Sequence, residues 1–203
     1  MAENPNFAGD ISGFVLAGGR SSRMGTDKAA LLLNGRTLLE HAIGMVAAVT
    51  EKPVFILGSR ELYGSFGEVI EDLYPGCGPL AGIHAALSHS RTRFNLLIAV
   101  DTPFLSSEFL RYMASRAVEI GAAVTVPEIG GYTQPLCAVY SQDFLPIAEN
   151  ALKGDAFKIV PLFPKDRTCI ISEAELTQFA FTPEMFENLN TPEDLERARR
   201  RTG

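Results

Sequence analysis

The strongest constraint on the fold of this chain lies near its start, where an apolar run passes directly into a glycine-rich, cationic loop. Residues 11–17 are mostly apolar, and residues 16–28 then read Leu-Ala-Gly-Gly-Arg-Ser-Ser-Arg-Met-Gly-Thr-Asp-Lys. An apolar run of this length is typical of a buried strand. Glycines let backbone N–H groups approach a ligand closely, and the cations of Arg20, Arg23 and Lys28 neutralise negative charge. The segment therefore predicts a strand followed by a loop that holds a polyphosphate.

This loop differs from the two best-known nucleotide-binding loops. A Walker A loop requires Gly-Lys-Ser/Thr in succession, whereas here Thr26 and Asp27 separate Gly25 from Lys28, and Ala29 follows the lysine. The dinucleotide fingerprint G-x-G-x-x-G is also absent from the loop. A tight turn alone would account for the glycines, but a turn does not need two arginines and a lysine. We therefore interpret the segment as a phosphate-binding loop of another kind.

Composition narrows the class of protein. The 203 residues are 46% apolar and 21% charged, with a net charge of −6, which is typical of an ordinary globular chain. A nucleic-acid-binding surface would need a basic stripe, so we expect no nucleic-acid partner. The three cysteines are odd in number and far apart. This pattern predicts ordinary thiols in a reducing compartment rather than disulfides or a zinc site.

The start and the hydropathy of the chain predict a cytoplasmic protein. The first six residues, Met-Ala-Glu-Asn-Pro-Asn, carry neither the basic nor the apolar region of a signal peptide. No apolar stretch approaches the length that spans a bilayer. We therefore expect no membrane contact.

Short apolar runs alternate with segments of helical periodicity along the whole chain. The runs predicted to be strands are 11–17, 54–57, 69–70, 94–100, 122–126, 136–140 and 168–171. The segments predicted to be helical begin at Thr37, Ser106 and Thr191 or span 80–88, 141–152 and 157–162. Such alternation predicts an α/β fold, a doubly wound three-layer sandwich whose mostly parallel sheet lies between helices. No linker or internal repeat interrupts the pattern, so we expect one domain over residues 1–203.

Two of the predicted helices carry complete start signals. Thr37 is followed three residues later by Glu40, and Thr191 by Asp194, so each pair predicts a capping box. Pro192 stands at the first helical position of the last helix, where proline is favoured. Both helix starts are thus predicted from local chemistry alone.

The phosphate-binding loop and several later segments together carry a family resemblance. The pattern L-A-G-G-x-S-x-R-M-G-x-D-K of residues 16–28 resembles the signature of nucleotidyltransferases with a Rossmann-like domain, most closely the molybdenum cofactor guanylyltransferases. The other agreeing segments, in the expected order, are Ile70-Glu71-Asp72, Gly78-Pro79-Leu80-Ala81-Gly82, Ala99-Val100-Asp101-Thr102-Pro103-Phe104, Gln134-Pro135-Leu136 and the stretch 188–195. The resemblance spans nearly the whole chain, and its first motif is the most specific.

The resemblance implies a reaction and its participants. GMP is transferred from MgGTP to molybdenum-bearing molybdopterin, which forms the guanine dinucleotide cofactor and pyrophosphate. This chemistry depends on charge neutralisation and in-line positioning more than on a protein nucleophile. The implied cofactor is Mg²⁺. The implied protein partners are transient contacts with proteins of molybdopterin synthesis or molybdoenzyme maturation, and we expect a monomer. The nucleotide-binding half would be about 1–103 and the acceptor-binding half about 104–203.

The same resemblance assigns three catalytic residues. Lys28 and Arg23 would contact the nucleotide phosphates, and Asp101 would bind the metal. The position of Asp101 supports this role independently of the resemblance, because it follows an apolar strand. Open α/β sheets bind ligands outside the carboxyl ends of their strands. An aspartate that merely opens the Asp-Thr-Pro turn is the alternative reading. Backbone groups for the nucleotide would come from Leu16, Ala17, Gly18 and Gly19.

Four further polar residues match the family pattern. Asp72 would contact the nucleotide, at its guanine or ribose, although an exposed turn carboxylate is the alternative. Gln134, Asn188 and Asn190 would bind the acceptor, the two asparagines also lying near the metal. Local turn bonding ahead of the Thr191 cap is the other explanation of the asparagines.

Several rival functions stay open. Cytidylyl transfer to the same acceptor is the nearest, and Gly19 favours guanine over it, because a small residue leaves room for a purine. Sugar-phosphate or polyol-phosphate nucleotidyltransferases share part of the loop pattern. A nucleotide-binding partner without turnover is a different class, although Lys28 together with Asp101 argues against pure binding. The chain departs from the family at Leu57, where members can carry an asparagine that contacts the base.

Overall fold

The computed structural model describes residues 8–18 and 27–202. The strands are β1 Ile11–Leu16, β2 Leu32–Leu33, β3 Arg36–Thr37, β4 Val54–Leu57, β5 Glu68–Ile70, β6 Phe94–Ala99, β7 Val124–Ile129, β8 Tyr132–Thr133, β9 Cys137–Ser141 and β10 Thr168–Ile171. The α-helices are α1 Leu38–Ala47, α2 Arg60–Tyr63, α3 Pro79–His89, α4 Ser107–Ile120, α5 Leu145–Lys153, α6 Glu173–Gln178 and α7 Pro192–Thr202. Short 3₁₀ turns cover Ala8–Asp10, Lys28–Ala30, Gln142–Phe144, Val160–Leu162 and Pro183–Phe186.

The central sheet has the strand order β10-β7-β9-β6-β1-β4-β5, with β8 paired to β7. Strand β1 pairs in parallel with β4 and β6, and the pairs β4–β5 and β7–β10 are also parallel. Strand β9 runs antiparallel to both of its neighbours. The prediction of a mostly parallel sheet is therefore confirmed. The chain leaves β1 for β4 on one side and later reaches β6 on the other, so β1 lies at the topological switch point, where such sheets bind ligands.

Helices cover both faces of this sheet. Along β1 the side chains of Ile11 and Val15 point into the layer that holds α1 and α4, whereas Phe14 and Leu16 point into the layer that holds α3 and α5. This two-residue alternation is the pleat of a strand buried on both faces. The predicted three-layer sandwich is thus confirmed.

Two glycines let helices approach β1 closely from opposite faces. A Cβ atom at Gly13 would lie 2.2 Å from Cγ1 of Val46 in α1, and one at Gly82 in α3 would lie 2.6 Å from Cδ1 of Leu16. Both distances are too short for a Cβ contact, so a side chain at either position would displace its neighbour. The second contact brings the first turn of α3 against the carboxyl end of β1, where the glycine-rich loop begins.

Local start signals account for several helix boundaries. The Thr37 hydroxyl accepts from the Glu40 amide at 3.1 Å, and the Glu40 carboxylate accepts from the Thr37 amide at 2.7 Å. Thr191 and Asp194 form the same reciprocal pair at 3.2 and 2.8 Å. Both predicted capping boxes are therefore confirmed.

Other predictions of secondary structure need correction. The predicted helix at 157–162 is only the 3₁₀ turn Val160–Leu162, because Pro161 has no N–H to donate. The segment 141–152 divides into the turn Gln142–Phe144 and helix α5. Helix α6 and the hairpin of β2 and β3 were not predicted, although Asn34-Gly35, both at positive φ, is a recognisable hairpin turn.

The three cysteines differ in burial. Cys77, Cys137 and Cys169 are free thiols, and Cys137 is buried. Burial also raises the pKa of the Cys137 thiol, which keeps it protonated and unreactive. Across residues 8–18 and 27–202, none of the helices combines the length and apolar character needed to cross a bilayer.

Candidate active site

Three side chains from distant parts of the chain meet at the carboxyl edge of the sheet. The Lys28 ammonium lies 3.3 Å from Oδ2 of Asp101 and 2.6 Å from Oδ1 of Asn190. Lys28 opens the 3₁₀ turn after the glycine-rich loop, Asp101 follows β6, and Asn190 precedes α7. The side chains of Lys28 and Asp101 are about one-fifth exposed, at 20% and 24%. The structure thus brings a predicted cation, a predicted metal ligand and a predicted acceptor residue into one centre.

Backbone contacts fix the relative position of Asp101 and Asn190. The amide of buried Leu189 donates to the Asp101 carbonyl at 2.9 Å, which docks the loop before α7 onto the end of β6. The Asn190 amide donates to the Asp194 carboxylate at 2.9 Å, and this bond lowers the pKa of Asp194. The backbone of Asn190 therefore joins the helix cap, as the turn-bonding alternative predicted, and its side chain contacts Lys28. Its contact with the acceptor stays a prediction.

A small cleft opens beside this centre, and we call it the lysine cleft. Its volume is about 200 Å³. It is lined by Leu16, Ala17, Gly18, Asp27, Lys28, Pro79, Ala99, Val100, Asp101 and Leu136. The cleft lies where β1 and β6 end, which is the switch point of the sheet.

A larger cleft adjoins it on the side of β4 and β5, and we call it the glycine cleft. Its volume is about 760 Å³. It is lined by Leu16, Gly18, Leu57, Gly58, Ser59, Asp72, Gly76, Gly78 and Pro79. Asp72 is the ionisable side chain among these lining residues. It is half-buried, and burial raises its pKa. The two clefts share Leu16, Gly18 and Pro79, so one ligand can extend through both.

The backbone at the end of β1 is already hydrogen-bonded within the protein. The amides of Ala17 and Gly18 both donate to the Leu57 carbonyl, at 3.0 and 3.1 Å. The Leu16 carbonyl accepts from the Val100 amide at 3.1 Å. Leu57 thus holds the start of the loop through its backbone carbonyl.

Asp27 lines the lysine cleft and Tyr63 contacts Asp27, and neither was predicted from the sequence as a site residue. Asp27 Oδ1 accepts from the Ala29 amide at 3.0 Å and so caps the turn that carries Lys28. The buried hydroxyl of Tyr63 lies 3.0 Å from the same oxygen. An aspartate directly before a turn is a recognisable cap, but no local pattern marks Tyr63.

Two predicted acceptor residues lie outside the lysine cleft. The side-chain Nε2 of Gln134 donates to the Tyr132 carbonyl at 3.2 Å, in the turn between β8 and β9. Asn188 lines a separate groove of about 360 Å³ together with Phe104, Arg197 and other residues. Neither contacts the Lys28 centre, although Gln134 stands two positions before Leu136 of the lysine cleft.

Three residues of the glycine-rich loop carry predictions that fall beyond the described parts of the chain. Gly19, Arg20 and Arg23 lie between the described stretches 8–18 and 27–202. Their contacts with phosphate and base stay predictions from the sequence.

The chemistry of the centre fits a magnesium ion. Mg²⁺ is usually held by one or two carboxylates together with substrate phosphates and waters, rather than by an all-protein cage. Within the described residues, no three His, Cys, Asp or Glu side chains cluster as such a cage. The carboxylate of Asp101 and the amide oxygen of Asn190 already hold one cation between them, the Lys28 ammonium. These two oxygens suit a hard metal whose remaining ligands come from the substrate.

Comparisons with known proteins show the family to which the chain belongs. The profile of the MobA-like NTP transferase domain matches residues 13–160. A protein of Flavobacterium johnsoniae named as a probable molybdenum cofactor guanylyltransferase is 36% identical over 91% of this chain and 94% of its own. One of Pelotomaculum thermopropionicum with the same name is 37% identical over 93% of this chain and 91% of its own.

A solved structure shows the same fold. The crystal structure of molybdopterin-guanine dinucleotide biosynthesis protein A from Archaeoglobus fulgidus superposes with a TM-score of 0.80, at 27% identity. The match covers 93% of this chain and 97% of that one. Sequence and fold therefore agree, and the chain belongs to the MobA-like NTP transferase family as a nucleotidyltransferase.

Proposed function

We propose that this protein transfers GMP from GTP to molybdenum-bearing molybdopterin, forming the guanine dinucleotide cofactor and pyrophosphate. The observation that carries the proposal is the meeting of Lys28, Asp101 and Asn190 at the switch point of the sheet. Relatives named as guanylyltransferases over nine-tenths of the chain support the choice of base and acceptor.

The triphosphate would lie in the lysine cleft. A phosphate oxygen of the acceptor attacks the α-phosphorus of GTP. The bond between that phosphorus and the oxygen that bridges it to the β-phosphate breaks, and pyrophosphate leaves with this oxygen. The Lys28 ammonium faces the charge that builds on the departing phosphates, and such preorganised charge is usually the largest contribution to phosphoryl-type transfer. Mg²⁺ held by Asp101 and Asn190 would supply further neutralisation of the phosphate oxygens.

The guanine base would lie in the glycine cleft. An ionised Asp72 can accept two hydrogen bonds from the N1–H and 2-amino group of guanine, a donor pair that cytosine lacks. Because Leu16, Gly18 and Pro79 line both clefts, a nucleotide with its base at Asp72 can reach Lys28 with its phosphates. This placement makes Asp72 the residue that selects the base.

The acceptor would approach from the side of residues 104–203. That part of the chain supplies Leu136 to the lysine cleft and Asn190 to its charged centre. Gln134 and Asn188 would then contact the acceptor away from its phosphate. The half 1–103 would hold the nucleotide.

A transfer assay tests the proposal. Purified protein is mixed with each of the four NTPs, with and without molybdenum-bearing molybdopterin, and pyrophosphate release and product mass are measured. We expect pyrophosphate only with GTP and acceptor together, and its loss in Asp101→Asn. The matched control is Asp143→Asn, since Asp143 pairs with Arg167 outside both clefts.

Two outcomes would change the conclusion. A cytidine dinucleotide product would replace guanylyl with cytidylyl transfer. Binding of GTP without pyrophosphate release, at any acceptor concentration, would make the protein a nucleotide-binding partner instead.

A further inference from the structure

A single buried hydroxyl reaches both ends of the glycine-rich loop. Tyr63 is 4% exposed, and its hydroxyl lies 3.0 Å from Oδ1 of Asp27 and 3.3 Å from the carbonyl of Ala17. Ala17 precedes the loop and Asp27 ends it. The phenol carries one proton, so it donates to the closer, charged Asp27 or shares the proton between the two oxygens. Either arrangement ties the loop ends to α2.

The same carboxylate oxygen connects Tyr63 to Lys28. Asp27 Oδ1 also accepts from the Ala29 amide at 3.0 Å and thereby caps the turn Lys28–Ala30. A capped turn fixes the direction in which its first side chain leaves the backbone. That side chain is Lys28, whose ammonium contacts Asp101 and Asn190.

Close packing holds the Tyr63 ring in place. A Cβ atom at Gly58 would lie 2.8 Å from Cε2 and 3.0 Å from Cδ2 of the ring. The ring therefore lies against bare backbone at the end of β4, and any side chain at Gly58 would displace it. Burial, and then the neighbouring Asp27, raise the pKa of Tyr63, so the hydroxyl stays a proton donor.

We propose that Tyr63 is a positioning residue of the lysine cleft, which sets the place of the Lys28 ammonium by holding Asp27. The contacts run from Gly58 to the Tyr63 ring, through the hydroxyl to Asp27, and through the capped turn to Lys28. The kinetic part of this inference rests on the proposed function. The structural part concerns only the turn that carries Lys28.

The first test removes the hydroxyl and keeps the ring. In Tyr63→Phe we expect kcat/KM for GTP to fall about tenfold, equivalent to about 1.4 kcal/mol, while Tm falls by only about 2–4 °C. Calorimetric binding of GTP should weaken and that of guanosine should not, because only the phosphates meet Lys28. The matched control is Tyr112→Phe, which removes a hydroxyl from the carboxylate of Glu175 far from both clefts.

A double variant separates positioning from general loosening. If Tyr63 acts through Lys28, adding Tyr63→Phe to Lys28→Ala should change kcat/KM by less than about twofold, since neighbours in one network are not additive. A full second tenfold loss in the double variant would overturn the inference. Equal weakening of GTP and guanosine by Tyr63→Phe would also overturn it.

A readout without nucleotide keeps the inference distinct from the proposed function. Hydrogen exchange of the Ala29 amide, which donates to Asp27, should quicken about tenfold in Tyr63→Phe if the hydroxyl steadies the turn. Unchanged exchange would overturn the inference. If the wild-type protein turned over no nucleotide, the proposed function would fail, and the Ala29 amide alone would decide the role of Tyr63.

Discussion

The two clefts at the end of β1 share a wall but differ in charge and size. The lysine cleft encloses about 200 Å³ and is lined by the charged side chains of Asp27, Lys28 and Asp101. Asn190 contacts Lys28 beside this cleft. The glycine cleft encloses about 760 Å³, and its wall is mainly glycine and apolar side chains around one carboxylate. In the proposed function, the lysine cleft would meet the charged phosphates, and the glycine cleft would accept the flat base and contact its edge.

In the proposed function, the end of the single strand β1 serves two tasks. Charge neutralisation requires side chains at defined distances, and long-range backbone bonds such as that from Leu189 to Asp101 supply them. Base recognition would require space beside the backbone, and Gly58, Gly76 and Gly78 line the glycine cleft. Losses in the lysine cleft should then reduce the rate with every nucleotide, whereas losses in the glycine cleft should change the choice among nucleotides.

The largest effect is expected at Asp101. Asp101→Asn keeps the shape of the lysine cleft and removes its carboxylate charge, so kcat should fall by about 10²–10³. Stability should change by no more than about 1 kcal/mol, since the pair with Lys28 is partly exposed. Steady-state kinetics with a parallel thermal melt measures both. A rate within threefold of wild type would remove Asp101 from the centre.

The next effect is expected at Lys28. Lys28→Met keeps much of the side-chain length and removes the ammonium, so transfer should slow by about 10²-fold. The same loss is expected with GTP and with nucleotides that react more slowly than GTP. The matched control is Lys153→Met, because Lys153 pairs with Glu149 on the surface of α5. If Lys28→Met altered the preference among nucleotides instead of the common rate, the division between the clefts would be wrong.

A smaller and more selective effect is expected at Asp72. In Asp72→Asn the guanine edge loses two bonds to a charged acceptor, so kcat/KM for GTP should fall by about 10- to 100-fold. The values for ATP and CTP should change much less, because neither base presents that donor pair. Competition kinetics with mixed nucleotides measures the ratio directly. An equal loss for all nucleotides would assign Asp72 to the ribose or phosphates.

Asp72 should also make the free energy of unfolding and the affinity for GTP depend on pH. Burial raises its pKa in the folded protein, so between the unfolded and folded pKa values the native state binds more protons than the unfolded state. The contribution of Asp72 to the free energy of unfolding then decreases as pH rises through that window. GTP affinity should change in the opposite direction, falling as pH falls through the raised pKa. Asp72→Asn should remove both dependences, and calorimetry with denaturant melts checks them.

The smallest effect on activity is expected at Gly13, where β1 packs against α1. Gly13→Ala forces a Cβ atom against Val46, so the protein should lose about 1–3 kcal/mol of stability while nucleotide preference stays unchanged. Gly44→Ala on the exposed side of α1 meets nothing within 4 Å and should stabilise by about 0.5–1 kcal/mol. Denaturant unfolding of both variants tests the close approach of α1 to β1.

The parts of this structure that were predicted from sequence depend on local hydrogen bonding or on the pattern of apolar residues along the chain. The capping boxes at Thr37 and Thr191 involve residues three apart, and the buried strands show in their apolar runs. Asp101 could be placed because it follows such a strand. The strand order was not predicted beyond its class, since pairing partners are far apart in sequence.

Contacts across the fold explain what sequence reasoning missed at the site. Tyr63 meets Asp27 over 36 positions and Lys28 meets Asn190 over 162, and no spacing rule relates such residues. Leu57 contributes through its carbonyl, which every residue type has. Asn188 matched the family pattern as well as Asn190 did, yet only the folded chain shows which of them reaches Lys28.

Thermal stabilisation by nucleotides tests the division of labour between the clefts most directly. Melts of wild type and Asp101→Ala are recorded with each of the four NTPs, with Mg²⁺ and without, since selective binding to the native state raises Tm in proportion to ln(1 + [L]/Kd). We expect GTP to give the largest shift in wild type, Mg²⁺ to increase it, and Asp101→Ala to abolish the increase while keeping the preference for GTP. Equal shifts with all four nucleotides, or none with any, would contradict the account.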